Sequence, residues 1–251
     1  MTIQISSRTD GDVEVATVHS ANGNATVADR KGGRFAKEKA ALHAGFAALA
    51  NEAAPLVERL QPAALFEAMR PAIDRTVAPP YRSMVQAVQA GTRADTERFA
   101  VINAIRSDDP FAAEDRAMFR ELPIARQADY LTKANRPQLA AILSLGHERW
   151  PNVPKELWDK AMDRHAVLAH IERTGMAANF AKQPTPDDPA PVGPDMGAAE
   201  AAALTAINQA RAEMAEIGQA EETLRRTIAA VAIAASLPVA GAHTLLMGAA
   251  A

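Results

Sequence analysis

Apolar residues along this chain follow three different rhythms. At the start they alternate with polar ones. Ile3 and Ile5 do so, and Val13 and Val15 resume the pattern after an Asp10-Gly11 turn signal. Asn22-Gly23 is a second turn signal, followed by Ala25-Thr26-Val27. A period of two with such turns predicts two or three short strands over residues 1–29, as a small β meander or as an extended arm that joins a partner's sheet edge.

From residue 30 the spacing becomes three and four. Phe35, Leu42, Phe46, Leu49, Ala53, Leu56 and Leu60 fall on one helix face, with Lys39 interrupting the row. Pro55 kinks this helix or starts another, Pro62 and Pro71 bound a shorter one, and Pro79-Pro80 is a break. Asp108-Asp109-Pro110, Pro123, Pro137 and Pro154 read as helix starts, and Gly146 and Gly175 as stops. Residues 30–182 are thus a predicted helical body, in which Trp150 and Trp158 anchor the turn at Asn152-Val153-Pro154.

Residues 183–197 carry five prolines and favour extended polyproline II. At about 3.1 Å per residue they predict a stiff spacer reaching about 35 Å. Residues 198–251 then carry the most regular pattern. Ala203, Ile207, Ala210, Met214, Ile217, Glu221, Leu224, Ile228, Val231 and Ala235 alternate steps of four and three. That is a coiled-coil-like seam over about four heptads, which needs cover from another helix. After a spacer, the cover expected is a second molecule, with Ile207, Met214, Ile217, Leu224, Ile228 and Val231 as the interface.

Composition sharpens this reading. Of 251 residues, 58 are Ala and only 4% are aromatic, so close-packed helices are favoured over a core of large side chains. The absence of cysteine excludes disulfides, thiolate metal sites and cysteine nucleophiles. A net charge of −3 does not suit a general nucleic-acid coat. The opening residues show no secretory signal, which makes the cytoplasm or a virion the expected location. Thr227–Ala251 has no formal charge and follows Arg225-Arg226, so a tail anchor is an alternative, although alanine, glycine and proline suit it poorly.

Candidate chemistry is sparse. Arg30, Lys31, Arg34 and Lys37 surround Gly32-Gly33 at a helix start and could meet an anion or nucleic acid. His165 and His170 are five apart and diverge around a helix, so no metal site is expected. No nucleophile elbow or phosphate loop occurs, and neither a catalytic residue nor a cofactor is expected.

The expectation is a mainly α, non-enzymatic structural or assembly protein that partners itself or other structural proteins. In style it resembles small structural proteins of tailed bacteriophage virions, which are alanine-rich, cysteine-free and helical. That likeness covers no motif and transfers no residues. The alternatives are a nucleic-acid-associated protein using the basic 30–39 segment and a tail-anchored membrane protein.

Overall fold

The computed structural model describes residues 3–248, apart from the side chains of residues 101–103. The chain is mainly α, with a three-stranded antiparallel sheet at its N-terminus. It packs as two compact units, one of residues 1–95 and 212–251, the other of residues 96–211.

The first unit begins with the meander: β1 (Gln4–Asp10), β2 (Val13–Ser20) and β3 (Gly23–Arg30), in that spatial order. Both connections are two residues long, as the glycine-bearing turns require, and Gly11 and Gly23 both take positive φ. Ile5 pairs with Val18, and Ala16 with Val27. These residues share the inner face, and Ala16, Val18 and Val27 are fully buried. Val13 and Val15 alternate as read, on the outer face. The register shows why: Ile5 lies opposite Val18, so the even positions of β2 point inward.

The inner face shares its core with α1 (Ala36–Arg59), α2 (Pro62–Thr76) and the first part of α3 (Ala78–Asn103). Phe35, Leu42, Phe46, Leu49 and Ala53 are buried there, as their spacing predicts. Pro55 lies inside α1 and Pro71 inside α2, so Pro71 does not end its helix. Pro79 and Pro80 occupy the first turn of α3, where proline's missing N–H removes no helical bond. Gly45 lets α1 approach the end of α2, since a Cβ there would lie 2.5 Å from the Thr76 carbonyl oxygen.

The second unit holds α4 (Ala112–Glu121), α5 (Ile124–Lys133), α6 (Arg136–Leu143) and α7 (Lys155–Thr174). Helices start at Pro123, Pro137 and Pro154 as read, whereas α4 starts at Ala112, two residues past Pro110, with Phe111 at its cap. Asn135 and Gln138 make a reciprocal capping box on α6, and Gly175 ends α7 in the left-handed conformation. Trp150 and Trp158 are core residues. The Trp150 indole N–H donates to the Ile142 carbonyl at 3.2 Å, and its ring meets Phe119 edge-on.

The proline-rich segment is not an extended spacer. Ala181 and Pro194 form a β-bridge, and the Asp195 N–H donates to the Phe180 carbonyl at 2.7 Å. Its ends therefore meet, and the prolines shape a closed surface loop. The next helix, α8 (Met196–Ala235), starts beside that closure with Asp195 capping Ala198 N–H at 3.0 Å.

The seam on α8 is covered within the chain, which corrects the intermolecular expectation. In the second unit Ala203 and Ile207 pack with Val167 and Ile171 of α7. In the first unit Ile217 and Val231 are buried, and Leu224 and Ile228 are half-buried, all in the core that includes the sheet and α1. Met214 alone of the six is exposed. The most deeply buried line beyond Ile217 runs through Ala220, Thr223, Thr227, Ala230 and Ala234, beside the larger Leu224 and Ile228. Small side chains there let the helix backbone lie close to its neighbours.

After a bend of 104°, α9 (Val239–Met247) buries Ala242 and Leu246 in the same core. Among the described residues no single helix is long and apolar enough to cross a membrane; α8 and α9 pass together on length and composition only.

Candidate functional site

The first unit carries a buried polar node that joins β3, α1 and α8. Asp29 is brought inward by the alternation of β3, one step past Val27. His43 lies four residues after Lys39 on α1, so both project into the same face as Leu42 and Phe46. Thr223 comes from the small-residue line of α8. All four polar side chains are buried.

Asp29 Oδ2 lies 3.0 Å from His43 Nε2, and Asp29 Oδ1 accepts from the Thr223 hydroxyl. Burial pushes the Asp29 carboxyl up, but hydrogen bonds from His43 and Thr223 and the charges of His43 and Lys39 outweigh it and hold it below the usual carboxylate value. An ionised Asp29 makes Nε2 the donating nitrogen. His43 Nδ1 is then the nitrogen left over, buried with no partner among the described residues.

This arrangement is chemically closed at its centre. The Thr223 hydroxyl donates to the Asp29 carboxylate and lies 3.2 Å from the Gln219 carbonyl oxygen, and among the described residues no imidazole accepts from it. Beside the node, a cleft of about 570 Å³ opens between β3, α1 and α8. Arg30, Lys39, Glu222 and Arg226 line it with the node residues Asp29 and Thr223.

The expected basic cluster at the helix start is dispersed. Arg34 turns to the buried Asp95, 2.8 Å away, and its guanidinium stacks over Phe35. Arg30 lies near Asp12 at 3.9 Å and lines the cleft, while Lys31 and Lys37 are exposed. The place an anion would take at the Gly32-Gly33 turn is filled from within. Glu216 of α8 accepts from Arg34 N–H, and a Cβ on Gly33 would lie 2.7 Å from that carboxylate. Those four cations therefore do not form one anion site, because Arg34 is committed to Asp95 and Glu216 fills the turn.

In the second unit, His165 is buried and its Nε2 has no partner among the described residues. Burial, then the Arg136 charge, lowers the His165 value, with Glu172 opposing; His170 is lowered chiefly by burial as well. Among the described residues, no group of three or more His, Asp or Glu side chains is placed to hold a metal. The main feature of this unit is an apolar groove of about 540 Å³ between α5, α7 and the start of α8. Leu131, Leu157, Ala161, Val167 and Leu204 line it. Its rim carries the Arg164–Glu200 pair at 3.5 Å and Asp163 paired with Arg211 at 2.6 Å, together with Lys160.

Neither the node nor the groove was among the expected site residues. Lys39 and His43, four apart inside an apolar stripe, were the available signal for the node. No family model, curated protein or solved structure matched the chain on comparison.

Proposed function

We propose that this chain is a non-catalytic assembly protein that associates with further copies of itself through residues 96–211. The observation that carries this reading is the apolar groove on α5, α7 and α8. The occupant is α4 of a second copy. Phe111 at its start is 61% exposed and Met118 is 43% exposed, so α4 presents an outward apolar edge. Glu114 and Glu121 on the same helix complement Lys160 on the groove rim. Helix-in-groove docking uses this kind of amphipathic edge.

A contact of α4 with a groove elsewhere on the next copy builds rings or filaments if it runs one way, and closes a dimer if the two copies exchange it. Such an assembly suits a particle component, for which a virion is the setting that the composition suggests.

The test is light scattering of purified chain over a range of concentrations. Mass should rise with concentration, and both Phe111→Ser and Leu204→Glu should be monomeric. Mixed together, the two variants should give a heterodimer, because one intact groove meets one intact helix. A wild type that stays monomeric at its highest soluble concentration contradicts the reading, and so does a mixture that stays monomeric.

A further inference from the structure

The cleft beside Asp29 has an excess of hydrogen-bond donors. Lys39 is only 7% exposed and lines the cleft, yet its side chain makes no hydrogen bond or ion pair among the described residues. A lysine buried to this extent normally has a carboxylate beside it, whereas the Lys39 ammonium ends in the open cleft. Asp29 is close enough for its carboxyl to respond to the Lys39 charge, but both of its oxygens are engaged, one by His43 and one by Thr223. Glu222, the other carboxylate of the cleft, is likewise held, by Arg225 at 3.0 Å and Arg226 at 2.9 Å.

Three cations, Arg30, Lys39 and Arg226, thus face two carboxylates that are already committed. Arg226 uses only its Nε on Glu222, which leaves its terminal nitrogens as donors. Arg30 is tied only to an exposed Asp12 at 3.9 Å. Gly218 of α8 lines the cleft beside open space, since a Cβ there would meet nothing within 4 Å.

We infer that this cleft binds a small organic oxyanion, with its phosphate or carboxylate group on Lys39 and Arg226. The volume of about 570 Å³ exceeds what a lone inorganic ion needs and falls in the range of small-molecule sites. Arg226 supplies planar, paired donors and Lys39 a point charge in a partly desolvated setting, a combination suited to oxygens of high charge density. This site is independent of the docking groove, and only Arg30 of the basic residues around the Gly-Gly turn belongs to it.

The experiment is isothermal titration of the full-length chain, at low ionic strength, with pyrophosphate in one arm and citrate in the other. One equivalent should bind saturably in at least one arm, and the tighter arm identifies a phosphate or a carboxylate head. Lys39→Met should weaken binding at least tenfold. Gly218→Leu leaves every charge in place but fills the cleft, and it should weaken binding to a similar extent. Lys31→Ala removes a nearby exposed cation outside the cleft and should leave affinity within twofold. Circular dichroism confirms that each variant is folded; should Lys39→Met fail to fold, Gly218→Leu decides. The inference is overturned by absence of saturable binding in both arms or by wild-type affinity in Gly218→Leu. It is also overturned if Lys31→Ala loses as much affinity as Gly218→Leu, which would reveal only general attraction.

Discussion

Asp29 is the residue on which the first unit turns. It takes a hydrogen bond from α1 through His43 and another from α8 through Thr223, so one carboxylate on the last strand fixes two helices. Removing its charge leaves buried donors and a nearby Lys39 uncompensated. Asp29→Ala should lower stability by about 3–5 kcal/mol, the usual cost of breaking a buried charged pair from one side. The sign of the pH effect follows from the direction of its shift. The folded value lies below 3.8, so its stabilisation is complete above that value and is lost as pH falls through the lower folded one. Urea unfolding at stepped pH should show the wild-type advantage over Asp29→Ala shrinking below about pH 3.8; an advantage that stays constant there would contradict the network.

At the scale of elements, close backbone approach does much of what large side chains do elsewhere. Gly45 is the clearest instance. Alanine normally improves a helix interior by up to about 1 kcal/mol over glycine. At Gly45 the added methyl meets the end of α2 at 2.5 Å, a backbone oxygen that cannot rotate away. Gly45→Ala should therefore destabilise by about 1–3 kcal/mol, as overpacking does. Denaturant melts check this, and a stabilised Gly45→Ala would show that α1 and α2 are less closely packed. The same reliance on small residues explains why α8 was only half legible. Its ridge of Ile207, Ile217 and Val231 announced a face that needs cover, and those residues are indeed buried. The line that lies deepest beyond Ile217 contains Ala220, Thr223 and Thr227, which hydrophobic periodicity scarcely registers.

For the whole molecule, local signals read well and long-range ones did not. Asp10-Gly11 and Asn22-Gly23 placed the hairpin turns because turn geometry depends on a few adjacent residues. Pro123, Pro137, Pro154 and Gly175 placed helix ends for the same reason. Proline composition excluded helix from residues 183–197, although Met196 and Gly197 open α8, and was silent on where the segment's ends go; the bridge from Ala181 to Pro194 turned a supposed tether into a closed loop. The node was hidden because Asp29 and Thr223 are 194 positions apart. Periodicity states which face of a helix must be covered; it does not state whose surface covers it.

Helix α8 finds its cover within its own chain, and on the proposed reading association falls to residues 96–211. Hydrogen exchange of the Thr223–Ala234 amides, measured in Leu204→Glu protein at two concentrations a hundredfold apart, tests it most directly. Strong protection that is the same at both concentrations is the predicted result. Protection that falls away on dilution would mean that a second molecule supplies the cover.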